Sequence, residues 1–219
     1  MLSPFSLEGH GVRLEPLAVD HAEGLAKAAA GDRDSYGYTW VPDGLAEARF
    51  FAEQGLAARD SGRQVPFAVR DLGSGEIAGA TRFLDLDVFV WPAPWPPGIA
   101  PGPEPSDEQP PTVAEIGSTW YAPWAQRTHV NTACKLLLLR RAFEGWRSER
   151  VTLKTDARNA RSRAAIERIG GQFEGIRRVH VPATDGTIRS SAYFSIVAAE
   201  WPATRERLEQ RLSLRWPHE

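Results

Sequence analysis

Residues 120–144 read WYAPWAQRTHVNTACKLLLLRRAFE. They pass from a strand to a helix through a turn, and no other stretch restricts the fold as much. Trp120 and Tyr121 end an extended run, and Pro123 stops it. A polar segment, Gln126 to Thr132, follows, and then the helical pattern KLLLLRRAFE. A strand, a donor-rich turn and a helix N-terminus gather backbone N–H groups and a partial positive charge at one point, which suits an anion. Turns of this kind usually use glycine, which lets the backbone approach a phosphate with positive φ. None occurs between Gly117 and Gly145. Asn131 is the residue in the turn that best tolerates left-handed geometry, and either Asn131 or Thr132 can cap the helix. The same letters also fit a plain capped turn without a ligand.

The flanking segments set the fold class. VRLEPL (Val12 to Leu17) alternates as a strand does. Asp20 is positioned to cap a helix from His21 to Ala30, and a second helix fits Leu45 to Arg59. VPFAVRD, the turn DLGSGE and EIAGATRFLDLDVFV read as a hairpin with further strand. TVAEIGSTWY is a strand, as is RVTLKTD. NARSRAAIERI (Asn159 to Ile169) is a helix stopped by Gly170 and Gly171. QFEGIRRVHVP and IRSSAYFSIVAAEW are strands around an Asp-Gly turn, and a last helix fits Trp201 to Leu212. This order predicts a mixed α/β fold rather than a regular βαβα alternation. Residues 91–111 hold nine of the chain's 17 prolines and lack periodicity. They read as an insertion within a single domain spanning residues 1–219.

Composition narrows the function classes. The chain has 219 residues, 42% of them hydrophobic, enough for a sizeable core. A net charge of −2 offers no basic field for nucleic acid. LLLL (Leu136 to Leu139) is far shorter than a membrane span, and the first residues lack the basic-then-apolar pattern of a signal peptide. Cys134 is the only cysteine, so a disulfide or a cysteine-based zinc site within the chain is excluded. It sits beside LLLL and reads as a packing residue. The histidines show no metal-ligand spacing, so no metal is expected. A reduced, cytoplasmic setting follows as the default.

A second cluster lies in KTDARNARSRAAIERIGG. Asn159 can cap the helix, and Ser162, three residues on, falls near the same end. A hydroxyl there can give or take a proton. Glu115, Gly117 and Thr119 share one face of their strand by alternation, and so do Asp85 and Asp87 on an earlier strand. Any of these carboxylates suits a general base. Tyr36, Tyr38 and Trp40 cluster between the first two helices, and Trp91 and Trp95 lie on the proline-rich segment.

The two clusters together resemble the GNAT superfamily of acetyl-CoA-dependent N-acetyltransferases, nearest to the ribosomal-protein alanine N-acetyltransferase branch. The resemblance covers roughly Val12 to Trp201 and is strongest from Glu115 to Gly171. In that family a strand leads to a Gln/Arg-x-x-Gly-x-Gly/Ala loop and a long helix. Gln126 matches the first position, while His129 and Asn131 replace the small residues. An Asn-x-x-Ser pattern before a helix ending in a Gly-aromatic pair matches Asn159 and Ser162, with the aromatic residue delayed to Phe173. The resemblance implies a largely antiparallel central sheet flanked by helices, with splayed strands forming an acyl-CoA cleft.

The resemblance also implies roles for these residues. Amides of Arg127, Thr128, His129, Val130, Asn131 and Thr132 would bind the cofactor pyrophosphate. Backbone groups of Trp120, Tyr121 and Ala122 would pair with the pantetheine arm. Asn159 would hold that arm, and Ser162 would protonate the departing thiolate. Arg161 or Arg163 would approach the phosphates. A backbone amide near Tyr121 would stabilise the oxyanion, with Glu115 as the first choice of base. Tyr36, Trp40 and Trp91 would contact the acceptor, which is a protein N-terminus or a small-molecule amine, and a homodimer is plausible for the family. The rival expectation is a catalytically silent acyl-CoA-binding or protein-interaction module on the same fold.

Overall fold

The computed structural model describes residues 3–89 and 110–215. Trp91, Trp95 and the proline-rich stretch up to residue 109 lie outside the described residues. Along the chain come β1 (Leu7–Gly9), β2 (Val12–Pro16), α1 (Ala22–Ala29), α2 (Gly44–Asp60), β3 (Val65–Asp71) and β4 (Ile77–Asp87). They are followed by β5 (Val113–Tyr121), α3 (Val130–Arg140), β6 (Arg150–Asp156), α4 (Ala160–Arg168), β7 (Gln172–Pro182), β8 (Ile188–Val197) and α5 (Trp201–Arg215). The eight strands form one sheet in the order β1-β2-β3-β4-β5-β6-β8-β7. Every neighbouring pair is antiparallel except β5 and β6, which α3 connects as a parallel pair. This is the mixed, largely antiparallel α/β fold expected.

Local chemistry explains most boundaries. β2 alternates fully buried Val12 and Leu14 with half-exposed neighbours, as a strand with one face on the core must. α3 is buried on nearly every side, from Val130 to Leu139 with only Asn131 half-exposed, so its leucine run needs no polar stripe. It lies against β1, β2 and α5, while α1 packs on α2 and β4. Beyond Arg140 the helix widens into a π turn, Arg141–Gly145. The first helix differs from expectation. Residues Val19–His21 form a 3₁₀ turn, and the Ala18 amide bonds His21 Nδ1 at 3.0 Å, so Asp20 does not cap α1. α5 extends three residues past the expected Leu212.

The core runs through Phe67, Phe83 and Trp146, the last two with ring centroids 4.6 Å apart. Each such side chain contributes about 1.5–3 kcal/mol on leaving water. Cys134 is fully buried there, and burial pushes its thiol up to about 12, which makes it a packing group.

Candidate active site

The parallel pairing of β5 with β6 stops early. It joins Val113 to Arg150, Ala114 to Val151 and Glu115 to Thr152, and then the strands part. A cavity of about 1170 Å³ opens in the fork. Residues Ile116 to Tyr121 line one wall, and Leu153, Lys154 and Thr155 line the other. Ser118 has φ 47°, and the register to β4 slips between Ala80–Trp120 and Arg82–Gly117, which places two β5 residues against Thr81. This is a β-bulge, which bends the strand that carries it. Opposite its exit, a Cβ on Gly79 would lie 2.1 Å from the Trp120 carbonyl oxygen, so only glycine allows β4 this close. Thr119 bonds Thr81 at 2.7 Å and accepts from Lys135 Nζ at 2.8 Å; burial pushes Lys135 down to about 8.

At the far end of β5, a 3₁₀ turn over Pro123–Ala125 leads to Gln126. Gln126 Nε2 donates to Ser35 Oγ at 2.9 Å and to the Tyr121 carbonyl at 3.0 Å, and the Tyr36 hydroxyl donates to that same carbonyl at 3.1 Å. Tyr121 therefore has its carbonyl occupied. Its phenol is buried, and burial holds it well above its ordinary value. The left-handed residue of the turn is Arg127, with φ 64°. Asn131, expected to supply that geometry, is instead helical in the first turn of α3, beside Thr132. Neither caps the helix, whose N-cap is His129, which makes no side-chain capping bond. Thr128 Oγ1 donates to the Ala125 carbonyl at 2.6 Å and fixes the turn. The first-turn amides of α3 have no carbonyl one turn back to bond.

Gln126, Arg127, Thr128, Asn131 and Thr132 line the cavity; His129, Val130 and Ala122 do not. His129 Nε2 instead lies 3.5 Å from Asp71 Oδ1, turned away. Ala122 is fully buried, and its amide donates to the Ala78 carbonyl at 2.8 Å.

α4 begins as its letters indicate. Asn159 is the N-cap, and its side-chain oxygen accepts from the Ser162 amide at 2.9 Å. Both residues line the cavity. Arg161 lines it as well and donates to the Ser35 carbonyl, whereas Arg163 lies over the Phe173 ring at 5.3 Å. Gly170 has φ +107° and closes the helix. The delayed aromatic residue, Phe173, is the second residue of β7 and packs on Phe194, with ring centroids 5.3 Å apart.

Glu115 sits where the fork begins. It is 3% exposed, and Oε2 lies 2.8 Å from Lys154 Nζ. Burial raises its carboxyl to about 6, against the opposing pull of Lys154. Asp85 reaches the same Lys154 at 3.4 Å. Asp85 has φ 45°, and the register slips between Leu84 and Asp87, so the simple alternation expected for Asp85 and Asp87 does not hold. Gly117 makes room for the carboxylate, since a Cβ there would stand 2.8 Å from Glu115 Oε1.

Tyr36, Tyr38 and Trp40 line the cavity too, with Trp40 packed 5.9 Å from Phe51 between ring centroids. Sequence reasoning missed Lys154 and Arg82, because charged residues within strands read as solvent-facing. Arg82 shares a two-residue period with the cavity residue Leu84, whereas Lys154 stands between two other lining residues, Leu153 and Thr155, and carries no such signal. Among the described residues there is no group of three or more His, Cys, Asp or Glu side chains that could hold a metal. No described helix is long and apolar enough to cross a membrane.

Comparison with known proteins agrees with this geometry. Residues 12–172 match the family described as "Acetyltransferase (GNAT) domain". No curated protein is similar enough to count as a match. Among solved structures, a GCN5-related N-acetyltransferase from Brucella melitensis is 27% identical, with a TM-score of 0.77 over 96% of this chain and 86% of its own. A protein classed as an acetyltransferase from T. thermophilus is 30% identical, with a TM-score of 0.75 over 97% of this chain and 99% of its own. Mycobacterium smegmatis RimJ, solved in complex with CoA-disulfide, shares the fold at 19% identity, with a TM-score of 0.73 over 95% of each chain. The match spans more than half the chain and includes both β5 and the start of α4, and the protein belongs to the GNAT family of acetyltransferases.

Proposed function

We propose that this chain transfers an acetyl group from acetyl-CoA to a primary amine by direct attack of the amine. The observation that carries this reading is Glu115, a buried carboxylate at the root of the fork, raised to about 6 and held by Lys154. At neutral pH it is ionised, yet close enough in pKa to take a proton from an attacking amine.

The surroundings support a fit to acetyl-CoA. Past Glu115 the β6-facing edge of β5 has no partner strand, and the backbone groups there are open to partners from a ligand. Trp120 and Tyr121 are the residues we assign to the pantetheine arm; the Ala122 amide is already used by Ala78. Backbone amides of Arg127, Thr128, His129, Asn131 and Thr132 suit the pyrophosphate, with Gln126 bracing their turn, while the Val130 amide is already used by Thr128 Oγ1 at 3.3 Å. The His129 side chain, facing Asp71, takes no part. Asn159 holds the start of α4, and Arg161, which lines the cavity beside it, suits the phosphates.

Bound acetyl-CoA supplies a thioester already activated toward amines. The chain's own residues orient the amine, take its proton at Glu115, present a β5 backbone amide near Tyr121 to the developing negative oxygen, and return a proton from Ser162 Oγ to the departing sulfur. Tyr36 and Trp40 border the acceptor. The acceptor is a protein N-terminus or a small-molecule amine. A cytoplasmic setting belongs to the same reading, in keeping with a lone, buried thiol.

The test is a thermal shift with acetyl-CoA followed by a thiol-release assay on an amine panel. Cofactor at 100 times its Kd is expected to add about 2.7 kcal/mol of stability, and an amine is expected to accelerate thiol release. A shift without release would leave only an acyl-CoA-binding module, and the absence of both sinks the reading.

A further inference from the structure

Among the charged groups that line the cavity, Arg82 is one that the transfer chemistry does not use. Arg82 lies on β4 opposite Gly117, and Leu84 lies opposite Glu115. Arg82 and Glu115 are thus diagonal neighbours facing the same cavity, with Cα atoms about 7–8 Å apart. The guanidinium is over the Phe51 ring at 5.0 Å. Nη1 donates to Gln64 Oε1 at 2.8 Å, its one hydrogen bond among the described residues. No carboxylate of the described residues stands within 4 Å of it. Lys154, by contrast, is paired with both Glu115 and Asp85. Burial alone pushes Arg82 down to about 10.

A desolvated cation without a counterion is costly, and an anionic ligand removes that cost. A guanidinium stacked on an aromatic ring keeps its planar fork of donors aimed sideways, which matches a carboxylate. The cofactor phosphates are a poor candidate for this anion. Gly117, opposite Arg82, is four residues before the end of β5, roughly 13 Å along the strand from Tyr121, and the turn at Gln126 lies beyond that. The near walls are the acceptor side, with Tyr36, Trp40, Phe51 and Gln54.

We propose that the acceptor is a small amino carboxylate, with its carboxylate held in the fork of Arg82 while its amine is presented to Glu115. This rests on the transfer reading above and specifies its substrate class. The short diagonal between the two residues favours an amine and a carboxylate separated by only a few bonds.

The test compares acetylation of free amino acids, including β- and γ-amino acids, with that of their amides, and includes short peptides with an acidic second residue. Free acids are expected to have kcat/KM roughly 10- to 100-fold above their amides, because a polar pocket built for a group rejects an analogue lacking it. In Arg82→Gln that preference is expected to collapse toward unity and in Arg82→Lys to fall partway, while stabilisation by acetyl-CoA stays as in the wild type. Should Arg82→Gln not fold, the wild-type ratio of acid to amide decides alone. Equal use of acids and amides, equal loss of both in Arg82→Gln, or acetylation of peptides only would overturn this inference and leave amine acetylation standing. No transfer to any amine would overturn both.

Discussion

The two ends of β5 bear two kinds of site. At its end, the turn from Gln126 to Thr132 offers backbone amides and the N-terminus of α3. At its root, Glu115, the proposed base, presents a side chain that Lys154 pairs and the space over Gly117 admits. A site made of backbone depends on the path of the chain and tolerates exchange of side chains. A site made of one buried carboxylate depends on every neighbour that desolvates, pairs or crowds it. The glycine-free turn illustrates the first case. Arg127 adopts positive φ without being glycine, held by Gln126 and Thr128, and Asn131 is left as an ordinary helical residue.

The sharpest way to break this contrast is at the root. Glu115→Gln is expected to lower turnover by about 10²–10⁴-fold. In the wild type the carboxylate protonates below about 6, so kcat/KM is expected to fall with pH there and to level off above; the variant is expected to lose that limb. An unchanged pH profile would remove Glu115 as the base. Gly117→Ala comes next. Its methyl would stand 2.8 Å from Glu115 Oε1 and 2.6 Å from Leu84 Cδ1. Crowding of this kind costs about 1–3 kcal/mol, and turnover is expected to fall further than the melting temperature alone implies.

The two helix starts should respond more weakly. Asn159→Ala removes the bond to the Ser162 amide and is expected to cost about 1 kcal/mol, visible as a drop of roughly 2–4 °C in Tm. Ser162→Ala should leave Tm in place and slow turnover, since its amide keeps the cap. The smallest effect belongs to Asn131→Ala, within about ±0.5 kcal/mol in stability by denaturant unfolding. A loss at Asn131 as large as that at Asn159 would collapse the distinction between a capping asparagine and a helical one.

These two asparagines also mark how far the sequence could be read. The Asn159–Ser162 cap joins atoms three residues apart, so its letters carry the whole interaction. The turn at Gln126 is braced by Ser35, 91 residues away, and by the carbonyl that Tyr36 shares. No local propensity could choose Arg127 over Asn131 as the left-handed residue. Glu115 was legible as a strand carboxylate near the turn. Its burial and its partner Lys154 were not, because β6 reaches it only through a crossover by α3. Arg82 was missed for the same reason, since its ring partner Phe51 and its hydrogen-bond partner Gln64 come from elsewhere in the chain.

The sequence by itself determined the periodic elements, the stop at Gly170 and the cap at Asn159, because hydrophobic period and capping act within a turn or two of chain. It also bore enough of both clusters to suggest the family. Only the tertiary structure decided where β5 leaves β6, which residue bends the turn, and which charges share the cavity. Those depend on strand pairing and desolvation between residues tens of positions apart, where the energy of one group is set by neighbours that no local stretch contains.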